Sequence, residues 1–245
     1  MCFSATASLI AGAALSAAGI GALAVTRERR AVPFAAIPLL FGLQQVAEGA
    51  VWLAAAGGHT TLQSCASAGF MSFAQVIWPL YAPLAVRLIE HEAWRRKAML
   101  ACLACGLIIA AAMLFGMVTA LVPGVPEGGH IRYTLPYYNQ FRDAGLLLPL
   151  LALYTIATCL SLFLSSDRLI RSFGAVVVVA LGVTAFAYEA WLFSVWCFFA
   201  AVLSAMVLLW AVRRATPPSQ DRQRSTRRPP AGSTIAAISG IGRRP

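Results

Sequence analysis

The amino-acid sequence predicts an all-α fold, a polytopic membrane protein built as a bundle of seven transmembrane helices. Hydrophobic residues make up 60% of the 245 residues, and the mean hydropathy is +0.75. Only 11% of the residues are charged, whereas a soluble domain carries roughly 25%. Apolar runs of about 20 residues, the length that crosses a bilayer as a helix, recur along nearly the whole chain. The sequence therefore predicts that the protein lies in, and contacts, the lipid bilayer.

The predicted spans cover residues 3–25, 32–56, 65–89, 98–121, 145–165, 170–187 and 191–212. The first span is rich in small residues, and Ser8, Gly12 and Ser16 recur every four positions. Small residues at this spacing let helix backbones approach closely in lipid. In the third span, Pro79 and Pro83 predict a local break, because proline removes a backbone hydrogen bond from a helix.

The basic residues predict the orientation of these spans. Nearly all Lys and Arg fall in the connections 26–31, 90–97 and 166–171 and in the C-terminal segment. Because basic loops stay in the cytoplasm, this distribution predicts an outside N-terminus, an inside C-terminus and a multi-pass location in the inner (plasma) membrane. We predict two regions: a seven-helix transmembrane domain over 1–214, and a basic cytoplasmic tail over 215–245 whose Pro, Ser and Arg content predicts disorder.

The formal net charge of +10 does not indicate a nucleic-acid partner. The charge lies in short loops and in the tail, as membrane topology requires, rather than on one packed face. We therefore expect no nucleic acid among the partners of this protein.

The segment 36–53 is the centre of the functional prediction. It is apolar enough to cross a bilayer, yet it carries Gln44, Gln45 and Glu48 in its predicted outer half. At 3.6 residues per turn, Gln44, Glu48 and Trp52 lie in one row, with Gln45 beside it. An ionisable side chain at such a depth is costly and therefore indicates a functional site.

Polar residues of other segments fall at the same predicted depth. Those expected to meet the segment 36–53 are Cys2, Ser4, Gln75, Trp78, Glu189, Trp196 and Cys197. The long outer connection 122–143 carries His130, which would lie above them. Because the inner halves of most spans are apolar, a polar cluster at this depth predicts a pocket open to the outside rather than a channel.

Three of these residues are candidate catalytic groups. Glu48 would act as a general acid or a proton carrier, and His130 as a base or metal ligand near neutral pH. Glu189, in the turn before the last span, is the third candidate. Structural roles remain open for each: Glu48 hydrogen-bonded to Gln or Ser neighbours, and His130 and Glu189 solvated at the surface.

The other polar residues named above would contact a bound ligand or cofactor. A mixed set of sulfur, nitrogen and oxygen ligands from Cys2, Glu48, His130 and Glu189 would suit Zn²⁺ or Cu. No ligand spacing within a single segment adds to this set, so the cofactor stays unknown. The three tryptophans fit a membrane belt or a packed core as well as ligand contacts.

Four stretches carry a resemblance to a known family. With its opening MCFSATAS, the segment IPLLFGLQQVAEGAVW, the loop HIRYTLPYY and the segment SVWCFFAA, the chain resembles a bacterial family of seven-helix membrane proteins of unknown function. The resemblance covers about residues 1–212 and implies the seven-span fold. It highlights Cys2, Ser4, Glu48, His130 and Cys197.

The function expected from these patterns is a ligand- or metal-binding pocket for a small molecule or lipid, in the outer half of the bundle. One alternative is a membrane-embedded, metal-dependent hydrolase or oxidoreductase acting on a lipid or small molecule. The last span lacks the His-x-x-x-His pair of the alkaline-ceramidase type, which argues against a hydrolase of that kind. A transporter or a sensor is the other alternative, so whether the protein is an enzyme stays open.

Overall fold

The computed structural model describes residues 4–187 and 192–216, except for the side chains of 183–198. The helices are α1 Ala5–Val25, α2 Val32–Ala35, α3 Ile37–Ala56, α4 Thr60–Ser72, α5 Trp78–Ile89, α6 Ala93–Ala120, α7 Pro136–Asp143, α8 Leu147–Thr155, α9 Ser161–Phe163, α10 Arg168–Ala187 and α11 Leu192–Ala215. A short hairpin of β1 (Val125–Glu127) and β2 (His130–Arg132) interrupts them between α6 and α7. The fold is therefore helical, as predicted, with one small β element that the sequence did not indicate.

Four helical segments among the described residues are long and apolar enough to cross a membrane: Ala5–Val25, Arg29–Ala56, Thr60–Ile89 and Ala93–Ala120. The pair Pro136–Asp143 and Leu147–Phe163, bent by 111°, makes a fifth if it forms one span. The remaining helices, α10 and α11, are 20 and 24 residues long and flank the part of the chain that is not described. The four long apolar segments support a membrane location for the protein.

The first span packs closely against α3 through small residues, and this predicted packing is confirmed. Ser8 and Gly12 are buried on α1. A Cβ atom on Gly12 would lie 3.1 Å from the Gly42 carbonyl oxygen of α3, and one on Gly42 would run into the Ser16 hydroxyl. Helix α1 also contacts α11, which in turn contacts α3. Helices α1, α3 and α11 therefore pack together as one group.

The third span is continuous from Thr60 to Ile89 instead of breaking at its prolines. The irregularity is a π-helical segment, Phe73–Ile77, placed one turn before Pro79. Pro83 has no N–H, so it cannot donate the usual helical hydrogen bond to the Pro79 carbonyl. Gly106 of α6 packs directly on that carbonyl oxygen, and any Cβ there would collide with it. Instead of a break, the helix therefore has a wider π-helical turn before Pro79 and a close glycine contact at the Pro79 carbonyl.

The connections after α5 and before α10 meet in one hydrogen-bonded cluster. The Glu90 carboxylate accepts hydrogen bonds from the Ser166 backbone N–H at 2.7 Å and from the Ser166 hydroxyl at 2.9 Å. Arg95, in the first turn of α6, donates to the Leu164 carbonyl at 2.8 Å. These contacts join two connections that lie 76 residues apart in the sequence.

The last turn of α11 and the connection after α1 reach the same cluster. The Trp210 indole N–H donates to the Asp167 carboxylate at 2.9 Å, and the Arg214 guanidinium lies 3.6 Å from the Glu28 carboxylate. We call this region the basic end of the molecule, which comprises residues 26–31, 90–92, 164–167 and 210–215. The compact unit of the chain ends at Ala215, and the predicted tail lies almost wholly outside the described residues.

The opposite end of the molecule carries the hairpin. The Gln63 amide of α4 donates to the Gly124 carbonyl at 2.8 Å, and the Gly124 N–H donates to the Ser67 hydroxyl at 2.9 Å. Strand β1 also packs against α3. We call this region the hairpin end, which comprises residues 57–59 and 121–135. Among the described connections, 26–31, 90–92 and 164–167 therefore lie at one end of the helices, and 57–59 and 121–135 lie at the other.

Candidate functional site

Glu48 is buried completely in the middle of α3. Its side chain is 0% exposed, and the neighbouring Gln45 and Gln44 are 1% and 2% exposed. The Gln45 amide donates a hydrogen bond to the Glu48 carboxylate at 3.2 Å, one helical turn along the same face. The carboxyl group therefore faces the packed interior of the protein rather than the surrounding lipid, as the sequence pattern predicted.

Gln44 links α3 to the third span. Its carbonyl oxygen accepts a hydrogen bond from the Trp78 indole N–H at 2.8 Å. The Trp78 ring packs against Phe41, with 4.4 Å between the ring centroids, and lies edge-on to Tyr81. Trp78 is only 8% exposed, so it is a core residue with one polar contact and not a residue of the membrane belt.

Gln75 links the third span to α7. Its carbonyl oxygen accepts a hydrogen bond from the Tyr137 hydroxyl at 2.6 Å, and its amide donates to the Tyr138 hydroxyl at 3.3 Å. Tyr154 of α8 donates to the Ala74 carbonyl at 2.7 Å, beside the π-helical segment. The sequence analysis did not predict that the tyrosines of the 122–143 connection form hydrogen bonds with Gln75. A short amphipathic pattern after Pro136 was the only available signal.

His130 lies in β2 at the hairpin end and is 8% exposed. The hairpin turns at Gly128 and Gly129, whose positive φ angles of 57° and 80° suit a two-residue turn, and His130 pairs with Glu127 across it. Burial lowers the pKa of His130 below its ordinary value of 6.5, which keeps the imidazole neutral at neutral pH. A neutral imidazole is the form that can accept a proton or bind a metal.

The hairpin is fixed to the helices by aromatic packing. Tyr133 stacks on Phe70 of α4, with 5.0 Å between centroids and 4° between the ring planes. Ile131 is 0% exposed in the same hydrophobic cluster as Val51 of α3 and Phe70. The connection predicted to cover the site therefore packs on α3, which carries Glu48, and on α4, which leads into the π-helical segment that carries Gln75.

Two predicted site residues have other surroundings. Ser4 is exposed, and its hydroxyl caps α1 by accepting a hydrogen bond from the Ala7 N–H at 3.2 Å. Trp52 is half-buried, and its indole N–H has no hydrogen-bond partner in the described part of the chain. Four predicted site residues cannot be placed in this way. Cys2 and Glu189 lie outside the described residues, and the side chains of Trp196 and Cys197 lie outside them as well.

No metal centre is formed by the residues 4–187 and 192–216 alone. Within them, no three His, Cys, Asp or Glu side chains lie close enough together to hold an ion. The predicted Zn²⁺ or Cu ligands Glu48 and His130 fall in this range, whereas Cys2 and Glu189 do not. The metal hypothesis therefore depends on the two ligands that are not described.

These features define a helical membrane protein with a buried polar layer, made of Gln44, Gln45, Glu48, Gln75, Trp78, Tyr137 and Tyr138. The chain belongs to the Family of unknown function (DUF6629), whose family model matches residues 1–223. The match includes all of the polar layer and the whole of the hairpin. Comparison with curated proteins and with solved structures finds no match.

Proposed function

We propose that the protein crosses the plasma membrane seven times, with its N-terminus outside and its C-terminus inside. In this arrangement the spans are α1, α2 with α3, α4 with α5, α6, α8 with α9, α10 and α11. The support is the alternation of connections between the basic end and the hairpin end. Since Trp210 and Asp167 are hydrogen-bonded at the basic end, α10 and α11 together leave that end and return to it. The excess of arginine there favours the cytoplasmic side.

This topology is tested by labelling single cysteines from outside intact cells. His59 is an exposed residue at the hairpin end, and Arg96 is an exposed residue in the first turn of α6, next to the basic end. In a background without native cysteines, we expect a membrane-impermeant maleimide to label His59→Cys and to label Arg96→Cys only after lysis. The opposite pattern would invert the orientation, and labelling of both in intact cells would contradict the number of spans.

We further propose that the polar layer is the binding site for a small polar molecule or lipid headgroup that enters from the hairpin end. The observation that carries this proposal is the complete burial of the Glu48 carboxyl beside two glutamines in a membrane helix. Buried ionisable groups in spans are expensive and rarely serve packing alone. On the side of the hairpin end, Ile131 and Tyr133 pack over α3 and α4, while α7 supplies Tyr137 and Tyr138 to the layer itself.

A pocket fits better than a transport path because the layer has an apolar floor. Phe41 and Trp78 pack together directly on the basic-end side of Gln44. Below them, Phe34 contacts the rings of Phe173 and Trp210 edge-on, at 6.0 Å and 4.7 Å between centroids. A path for ions or polar solutes needs polar lining along its length, whereas this floor consists of packed aromatic rings.

The proposal is tested with Glu48→Gln, which keeps the shape of the side chain and removes its charge and acidity. Glu127→Gln is the matched control, since Glu127 lies at the same end but is half exposed and paired with Arg132 at 2.9 Å. Small molecules and metals that co-purify are identified by native mass spectrometry and elemental analysis. Carboxyl reactivity is measured with dicyclohexylcarbodiimide, a hydrophobic reagent for protonated carboxyl groups in apolar surroundings.

We expect wild type and Glu127→Gln to retain a bound molecule that Glu48→Gln loses. We also expect carbodiimide modification to map to Glu48 and to be prevented by that molecule. His130→Ala should weaken retention without changing the site of modification. If Glu48→Gln and His130→Ala both retain the same co-purifying molecules and metals as wild type, the polar layer is structural and the proposed site is wrong.

A further inference from the structure

A cavity lies at the basic end of the molecule, on the opposite side of the Phe41 and Trp78 rings from the polar layer. It is a cleft of about 280 Å³ between the end of α1, the connection after α5 and the last turn of α11. Its charged and aromatic lining residues are Arg27, Glu28, His91, Trp210 and Arg214. None of the residues of the polar layer contributes to it. We propose that this cleft binds a phosphate-bearing anion, the headgroup of an anionic phospholipid.

Arg214 is held at the wall of the cleft by the ring of Trp210. The guanidinium carbon lies 4.6 Å from the ring centroid, a cation–π geometry. Trp210 is itself fixed, because it is 3% exposed and its indole N–H donates to Asp167 at 2.9 Å. An arginine that is already positioned loses less conformational entropy when it binds a phosphate, and its planar fork matches two phosphate oxygens.

The Glu28 carboxylate does not neutralise the positive charge of the cleft. Glu28 lies 3.6 Å from Arg214, and the two side chains are 48% and 37% exposed. An ion pair this exposed contributes little, so an anion of higher charge density can replace the carboxylate on Arg214. Arg27 stands on the same rim, and Arg29 and Arg30 follow in the next helical turn. The local field around the cleft is therefore positive.

Size and position favour a lipid headgroup over a larger ligand. The cleft is slightly smaller than the roughly 300–1,000 Å³ of pockets that enclose drug-sized molecules, so it suits a headgroup whose acyl chains stay outside. It opens where two apolar helices, α1 and α11, end. Basic pockets between helix ends are a usual site for anionic headgroups in the cytoplasmic leaflet. The choice of leaflet rests on the proposed topology, whereas the test below in detergent does not.

The test compares two double variants of the full-length protein that remove the same charge. Arg27→Gln with Arg214→Gln empties the cleft of its arginines, while Arg96→Gln with Lys97→Gln removes two exposed cations of α6 outside it. Native mass spectrometry in detergent then measures binding of phosphatidylglycerol and of zwitterionic phosphatidylcholine. Glycerol 3-phosphate serves as the soluble competitor that carries the same phosphate.

We expect wild type to prefer phosphatidylglycerol and the cleft variant to bind it about tenfold or more weakly, since each basic residue near an anionic lipid contributes roughly fivefold. The Arg96 and Lys97 variant should bind as wild type. A third variant, Arg27→Lys with Arg214→Lys, keeps the charge but loses the planar forks, so its binding should fall between that of wild type and that of the glutamine variant. An unchanged Tm of the cleft variant in thermal unfolding shows that its loss of binding is not misfolding.

Three results would overturn the proposal. Unchanged binding in the cleft variant would show that the lipid sits elsewhere. Equal losses in both glutamine variants would show diffuse attraction to a basic surface. Full displacement of the lipid by equimolar glycerol 3-phosphate would show that the occupant is a soluble phosphate ester and not a lipid. None of these results bears on Glu48, so failure here and failure of the polar-layer proposal are distinguishable.

Discussion

Replacing Glu90 with glutamine tests how the basic end is held together. Glu90 is 4% exposed although it lies in a charged connection. Its carboxylate accepts hydrogen bonds from the backbone N–H groups of His91 at 2.9 Å and Glu92 at 3.0 Å, in addition to the two from Ser166. The single carboxylate therefore satisfies three backbone donors and one hydroxyl from two connections.

The expected loss follows from these four contacts. A glutamine amide has one acceptor oxygen, so its NH₂ group must face at least one donor, most directly the Ser166 N–H at 2.7 Å from the present oxygen. A hydrogen bond to a charged acceptor is worth about 1.5–3 kcal/mol, and a neutral one about 0.5–1.5 kcal/mol. Losing one and weakening the others lowers the free energy of unfolding by about 3 kcal/mol, because such contacts are not additive.

The assay is thermal unfolding of the purified full-length protein in detergent, followed by tryptophan fluorescence. A loss of about 3 kcal/mol corresponds to a fall in Tm of roughly 6–12 °C for a chain of this size. Glu92→Gln is the matched control, since Glu92 is exposed in the same connection and its side chain makes no hydrogen bond at the start of α6. Equal Tm values for the two variants would refute the argument.

The same carboxylate predicts a dependence on pH. Burial alone raises the pKa of Glu90, but hydrogen bonds from the Glu92 and Ser166 backbones, the Ser166 hydroxyl and the His91 backbone outweigh it, so the pKa lies below its ordinary value of 4.5. A lowered pKa stabilises the fold above the unfolded-state pKa, and this is lost as the pH falls through the folded-state value. The difference in free energy of unfolding between wild type and Glu90→Gln should stay constant from about pH 7 to 5 and shrink below about pH 4.5.

Two further predictions concern the helix contacts, and thermal unfolding measures both. Gly106→Ala places a methyl group against the Pro79 carbonyl and should cost about 1–3 kcal/mol, whereas Gly182→Ala, with nothing within 4 Å, should be neutral. Gln44→Leu leaves the buried Trp78 N–H without its acceptor and should cost about 1–3 kcal/mol. The loss in the double variant with Trp78→Phe should be smaller than the sum of the two single losses, and a fully additive loss would show that the two residues are not coupled.

The sequence predicted the part of the site that depends on one helix. Hydrophobic runs located the four long apolar helical segments, and the helical repeat placed Gln44, Gln45 and Glu48 on one side of α3, where the structure finds them buried. It could not identify Tyr137 and Tyr138 as partners of Gln75, because that contact depends on a bend of 111° after α7 and joins positions at least 62 apart in the sequence. Pairings over such distances are set by packing and leave no local pattern.

Glu90 is a second residue whose surroundings the sequence could not predict, because its sequence context indicates exposure and the structure shows burial. In the sequence it belongs to a charged stretch, which by itself indicates a solvated loop. Its burial depends on donors from Ser166, and no periodicity connects the two positions. The π-helical turn before Pro79 is comparable, since the prolines signalled an irregularity and only the contact with Gly106 decided what form it took.

Composition and hydrophobic run length are additive along the chain. By themselves they determined that this protein has helices long and apolar enough to cross a membrane, and that a carboxylate lies within its second apolar run. The tertiary structure alone decided which groups meet: α1 beside α11, Trp78 on Gln44, and Arg214 on Trp210 at the edge of a cleft. The physical reason is that burial and hydrogen bonding are properties of pairs, and a residue's partner is fixed only when the helices have packed.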